Sequence, residues 1–405
     1  MLRPWKDTFQ EGLASSINRG LPLLRPKAPT DALICPPPGI RAKLNDGSKA
    51  WLRQAYKEYY FRGADKIEVP DDPASREFGY IPFGGGMIRH LSFRSRGEAL
   101  AEILKQSPSS VYCSNARYEY PARPIEEKGW LGAELIFDID ATDIPTPCKR
   151  SHDLWYCEKC HASGKLPRPQ KCAKCGGPAV EFHGTCETCL DAAKEHAMRV
   201  VGFLVTDFGV DREAVRLYFS GNRGYHLHVF DARFDLLNQG ARGEIAEYVH
   251  GSSLPPIQSI AAYIRRRSST GPQGFGWTKR ITGYVETRRR DYSGTVQKLV
   301  SEAITSQRAV VDASVTTDIH RVFRLAGTLH GDTGMAKTRV GSTADFDPQE
   351  DPVVLSTRPV KLTVEFYPRF RIKHREFGPF FKSETVELPT YAAVPILTRG
   401  LGEVA

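Results

Sequence analysis

Seven of the nine cysteines in this 405-residue chain fall between Cys148 and Cys189, and no other feature restricts its folding as tightly. The spacings are Cys148-x3-His152, Cys157-x2-Cys160, Cys172-x2-Cys175 and Cys186-x2-Cys189. A Cys-x2-Cys pair offers two thiolates to one ion, and repeated pairs point to zinc before disulfides. Eight ligands fill two four-coordinate sites with no open position, so the expected zinc is structural and not catalytic. Two pairings fit. In the nested one, Cys157/Cys160 joins Cys172/Cys175 across eleven residues as a small ribbon, and Cys148, His152, Cys186 and Cys189 close a second site at its base. In the sequential one, 148/152/157/160 and 172/175/186/189 each hold an ion. His183 is a further candidate ligand, whereas Cys35 and Cys113 stand alone and read as small buried hydrophobes.

Just upstream, Glu134-Leu-Ile-Phe-Asp-Ile-Asp140 is an apolar run ending in two carboxylates. It reads as a buried strand covered on both faces. Strand side chains alternate, so Asp138 and Asp140 share a face roughly 7 Å apart. Two such acids are costly to ionise together without a cation between them, and a pair of divalent metals about 3.5–4 Å apart supplies it. The same pattern also fits a strand end whose acids face water. A formal charge of +9 suits a polyanionic partner without requiring one. No apolar run reaches the ~18 residues of a membrane span and the N-terminus lacks a signal-type core, so the chain reads as intracellular.

Residues 1–48, with Pro36-Pro-Pro38, read as an appended arm. Trp51, Ala55 and Tyr59 lie on one helix face. Arg76 to Phe93 reads as a hairpin turning at Phe83–Gly86, followed by a helix at 97–105 and a strand at 110–114. Helical spacing returns at 189–208, and 235–308 is mostly helical and arginine-rich (Arg265–Arg267, Arg288–Arg290), which reads as solvated faces or as a surface that tracks phosphates. The tail shows one strand, 360–366.

Ser220-Gly-Asn-Arg-Gly-Tyr-His226 is a glycine turn between two strands, at 215–220 and 225–230. Such turns aim backbone N–H groups at anions, and Arg223 and Ser220 add donors, although taken alone the stretch fits an ordinary hairpin with an exposed arginine better. His226 and His228 share a strand face. Asp312 follows Ala309-Val-Val311 and reads as a third carboxylate at a strand end, with Arg321, Arg324 and His330 close behind. It also fits a simple cap on the next element. Together, strand-end carboxylates and a phosphate-type turn are the parts that nucleotidyl transfer needs.

From about Lys49 to Gly334 the chain resembles the catalytic small subunit of the archaeal and eukaryotic type of DNA primase. The resemblance rests on Arg76-Glu-Phe-Gly79, Met87 to Phe93, Gly132 to Asp140, Cys189 to Lys194, Ser220 to His226, Val311 to Asp318 and Arg324 to Gly334. It implies an α/β fold, a primase-type core with a modified RNA-recognition-like sheet, plus zinc-binding and helical insertions. Residues 1–48 are then an N-terminal extension and 49–343 the core, with insertions at 145–190 and 235–307, and 344–405 a C-terminal extension. Asp138, Asp140 and Asp312 look like the family's metal triad for Mg2+ or Mn2+. Ser220, Arg223 and His226 resemble its triphosphate-binding residues, Arg324 and His330 match its basic residue and second histidine, and Glu77 and Arg89 fall on further active-site positions. The family's Cys/His group favours the nested zinc pairing. Two positions depart from the pattern: Ala326 stands where the family has proline, and Asp332 where it has lysine.

The resemblance implies template-directed, two-metal synthesis of short primers de novo on single-stranded DNA from nucleoside triphosphates. It also implies a primase large subunit as partner, no membrane, and a cytoplasmic or nucleoid location in an archaeon or a nuclear one in a eukaryote. The rival readings are a primase-like polymerase that extends existing ends in repair and a non-catalytic zinc-ribbon protein that binds single strands.

Overall fold

The computed structural model describes residues 44–266, 274–381 and 383–405. The expectations for residues 1–43, Cys35 and Arg267 lie outside them. Helix α1, Asp46–Arg62, starts at Asn45, whose side chain accepts the Ser48 N–H, and it buries Leu52, Tyr56, Tyr59 and Tyr60. It packs on the first of two four-stranded antiparallel sheets. That sheet contains β1 (Phe78–Ile81), β2 (Ile88–Leu91), β3 (Ser110–Ser114) and, from far along the chain, Val322–Arg324, in the order Val322–Arg324, β3, β1, β2.

The second sheet carries the acid-bearing run as β4, Leu135–Asp140, with β5 (Val215–Phe219), β6 (Gly224–Val229) and the short strand Thr338–Arg339. Its order is Thr338–Arg339, β5, β6, β4, again antiparallel throughout. So β4 lies at an edge, not inside the sheet. Its run is still apolar on both sides. Leu135, Phe137 and Ile139 join the core under helix α2 (Glu187–Thr206), and Ile136 meets Val315 and Phe323 on the other face. The even-numbered residues of β4 and β6 all share that second face, where the two sheets approach each other.

Helices Gln239–His250, Ile257–Arg266, Gly276–Arg288 and Val296–Gln307 fill the stretch expected to be helical. The arginines at 265, 266, 288, 289 and 290 are exposed, as a solvated face requires. The cysteine segment adds a three-stranded sheet of Leu154–Cys157, Ser163–Lys165 and Ala179–Phe182. Its Tyr156 and Phe182 rest on Phe366 and Tyr367, at ring distances of 5.6 and 5.7 Å. The tail contains more than the one expected strand. Pro359–Val364 pairs with Glu384–Pro389 and Gly402–Val404, and helix Thr390–Thr398 is buried along its whole length. These residues share one apolar cluster with Leu52, Tyr56 and Phe78. No helix among the described residues is long and apolar enough to cross a membrane.

Candidate active site and cysteine centres

The register of β4 against β6 sets Asp140 opposite Gly224 and Asp138 opposite His226. A Cβ on Gly224 would stand 2.1 Å from the Ile139 carbonyl oxygen, so only glycine lets the strands close here. Gly224→Ala is expected to pry β4 from β6 at the acids and to cost about 1–3 kcal/mol or more. A urea melt and an incorporation assay on the purified variant check both effects. Gly221 sits at φ +82°, with the Met335 carbonyl 2.9 Å from where its Cβ would be. Ser220 holds the turn together, its hydroxyl oxygen accepting the N–H groups of Asn222 and Gly224 at 3.3 and 3.2 Å.

Asp312 reaches this end of the sheet from a loop, not from a strand. Its backbone N–H donates to the Asp138 carbonyl at 3.0 Å. Its side chain caps the short helix Ala313–Thr317, accepting the Ser314 N–H at 2.8 Å and hydroxyl at 2.6 Å. The cap and the third carboxylate are therefore the same residue. Burial, then the charges of Asp140 and Asp312, push the Asp138 carboxyl up to about 7, against the pull of Arg321. Asp143 is raised in the same way, by burial and then by Asp140 and Asp312. This fourth acid was passed over in the sequence, although it stands only three positions past Asp140.

His226 Nε2 lies 3.4 Å from Asp138 Oδ1, while burial and the nearby Lys337 hold the imidazole well below its ordinary pKa. The contact is thus one of a neutral ring, and its buried Nδ1 meets no partner. Arg223 reaches 3.7 Å from Asp140 Oδ2 and also leaves its Nε unpaired. Arg324 donates to the Ser110 hydroxyl at 3.0 Å and the Leu329 carbonyl at 3.3 Å, lies over the Tyr112 ring, and keeps a buried, unpaired Nε. His330 Nδ1 accepts the Asp332 N–H at 3.1 Å. Arg223 and Arg324 each hold a buried N–H without a partner, which fits a polyanion.

Glu77 and Arg89 are brought to each other. They pair between β1 and β2 at 2.9 and 3.2 Å, and the fully buried Lys128 approaches Glu77 to 3.5 Å.

The cysteines fall into the nested arrangement. Cys148, His152, Cys186 and Cys189 form one group and Cys157, Cys160, Cys172 and Cys175 the other, each with its donor atoms within 4.8 Å of one another. Sulfur separations of 3.4 Å (Cys148–Cys189), 3.5 Å (Cys157–Cys175) and 3.7 Å (Cys160–Cys172) approach the roughly 3.8 Å edge of a tetrahedron with 2.3 Å zinc–sulfur bonds. His152 offers Nε2 to the group, 3.3 Å from Cys189 Sγ, and holds Asp153 through Nδ1 at 2.8 Å. His183 stays outside both groups, bound to Asp153 at 3.1 Å. Both groups could hold zinc. Among the described residues the three acids form no group as tight as these.

Residues 182–342 match the family model described as DNA primase small subunit. A DNA primase small subunit PriS of Cenarchaeum symbiosum is 35% identical over 376 residues, covering 87% of this chain and 98% of the relative. The chain belongs to the DNA primase small subunit family. A second primase small subunit, from Nitrosopumilus maritimus, is 32% identical across 89% of this chain and all of its own length. Among solved structures, the polymerase domain of Mycobacterium tuberculosis ligase D in complex with DNA aligns over 74% of the chain and 85% of its own, at 12% identity and a TM-score of 0.35. That likeness is too weak to carry an argument. Membership in the primase family makes the chain a nucleotidyltransferase with a mixed α/β fold and gives it a place in replication. The structure describes both positions expected to depart from the family. Ala326 is buried and gives its carbonyl to the Glu68 N–H, and Asp332 gives its carbonyl to Thr398.

Proposed function

We infer that this chain makes short primers de novo on single-stranded DNA from nucleoside triphosphates, with Asp138, Asp140 and Asp312 as its metal-binding acids. The observation that carries the reading is the meeting of Asp312 with Asp138 beside the Ser220–His226 turn. Bound there, Mg2+ or Mn2+ would supply the positive charge that activates the attacking 3′-hydroxyl and neutralises the leaving diphosphate. The chain's own groups do the positioning. Arg223 and Arg324 donate to phosphate oxygens through the N–H groups that now lack partners. His226 keeps Nε2 on Asp138, and a phosphate beside its unpartnered Nδ1 would favour the doubly protonated ring, which donates to both. The Ser220 oxygen fixes the turn while its hydroxyl proton remains available to the anion. Asp138 gives up its proton as cations arrive.

Strand, helix, two strands, a helical stretch and a last strand follow one another in the second sheet, an order that supports the modified RNA-recognition-like reading. The two Cys/His groups, closed and four-donor, support structural zinc. A primase large subunit as partner follows from the family alone. Supplying nucleoside triphosphates to unprimed circular single-stranded DNA tests the reading. Labelled short products are expected. Products only from a pre-annealed oligonucleotide would support an end-extending polymerase, and binding without products a non-catalytic strand binder.

A further inference from the structure

Helix α1 and the C-terminal extension meet around a recess of about 350 Å³, which none of the acids, turn residues or cysteines described above lines. That volume is at the small end of ligand pockets, suited to an anchoring side chain more than to a whole cofactor. Trp51 from α1 and Leu355 and Pro359 from the tail give it apolar walls. Trp51 packs against the cluster that contains Leu355 and is itself only half-buried.

The charges around the recess are unequal. Three cations, Arg62, Lys66 and Arg358, line it against one carboxylate, Glu58. Arg62 and Arg358 share that carboxylate, at 3.4 and 3.5 Å, with guanidinium side chains 63% and 69% exposed. One carboxylate does not neutralise two guanidinium ions, and exposed pairs of this kind hold little. Phe61 adds an open aromatic ring. It lies seven residues past the lining residue Gln54, hence on the same helix stripe two turns on, and is 76% exposed. Aromatic and arginine side chains around a small apolar recess have the composition of a protein-binding hot spot. A single nucleic-acid strand calls instead for a basic groove with free ring faces, whereas Trp51 is packed on the core and the cations gather around one recess.

We propose that this recess docks an acidic segment of a partner protein. An apolar side chain of that segment enters between Trp51 and Leu355 while its carboxylates meet Arg62, Lys66 and Arg358. The assignment does not rest on the primer reading, since the recess shares no residue with the acids or the turn.

A library of random peptides displayed on phage and selected on the full wild-type chain tests this. Peptides rich in aspartate and glutamate around one aromatic or branched apolar residue are expected. Made synthetically with a fluorescent label, they should bind Trp51→Ala and the double variant Lys66→Glu with Arg358→Glu roughly tenfold more weakly or worse. Added salt should weaken them on wild type. Lys66 and Arg358 are exposed, so the double variant should keep wild-type incorporation on a primed template, and it decides the test should Trp51→Ala fail to fold. Enriched peptides without acids, no enrichment at all, or acidic peptides that bind the double variant as tightly as wild type overturn the proposal. Displacement of the bound peptide by a single-stranded oligonucleotide also overturns it and assigns the recess to nucleic acid. Dimers of the chain alone that the double variant abolishes overturn it in favour of a second copy.

Discussion

Asp138→Ala combined with Asp140→Ala eliminates nucleotide incorporation, by on the order of 10³-fold or more, while the metal-free protein becomes more stable, not less. The two effects have one cause. In the folded chain, burial and the charges of Asp140 and Asp312 hold the Asp138 carboxyl up near 7. A carboxyl whose folded pKa is raised binds its proton more tightly folded than unfolded. Stability is then greatest below the unfolded value, roughly 4, and falls as pH rises toward 7, by at most about 1.4 kcal/mol per pH unit. Because the Asp138 side chain is still 28% exposed, the true slope is shallower. Thermal melts in chelator between pH 4 and 8 check this. The wild-type midpoint should drop across that window, the double variant should stay flatter, and added Mn2+ should restore only the wild type.

The cysteine centres should separate just as sharply. Cys172→Ser is expected to release one of two zinc ions and loosen the ribbon while the main melting transition stays in place. Cys189→Ser should release the other and take the core with it. Cys189 sits in the first turn of α2, 2% exposed, inside the cluster that also contains Leu135, Phe137 and Ile139, and Cys148 and Cys186 pack against that cluster. This centre therefore ties the end of the acid-bearing strand to the helix beneath it. Cys157 and Cys172 belong to neither main apolar cluster. Structural zinc contributes roughly 10–16 kcal/mol of apparent binding energy in small peptides, so losing the buried centre is comparable to the whole stability of an ordinary domain. Zinc content per chain and a denaturant melt of each variant measure the difference. Loss of both ions from Cys172→Ser would contradict the nested arrangement.

What could be read in the sequence was whatever depends on near neighbours. The spacing of 135, 137 and 139 gave the buried strand, Gly221 and Gly224 gave the turn, and the Cys-x2-Cys pairs gave the ribbon. What escaped depends on distant contacts. Asp312 was expected at a strand end, but it is held by a backbone hydrogen bond to Asp138 that no local pattern records. The edge position of β4 was invisible because Val315 and Phe323 cover its open face as a neighbouring sheet would. Lys337 gave no signal, since its environment is assembled from Arg324, His228 and Glu134. Helix Thr390–Thr398 is apolar on all sides and contains Pro395, so it has no amphipathic stripe to find. Glu77 and Arg89 were expected at active-site positions through resemblance alone, and their pairing beside Lys128 is a long-range contact that no local pattern records.

The central claim is that an acid from a late loop completes a cation site begun on β4. Equilibrium Mn2+ titration of the metal-free chain, read by the loss of the free-ion electron paramagnetic resonance signal, tests it with Asp312→Ala beside wild type. The account predicts that wild type takes up Mn2+ at this site and that Asp312→Ala binds it roughly tenfold or more weakly, with both zinc ions retained. Unchanged Mn2+ affinity in Asp312→Ala would contradict it.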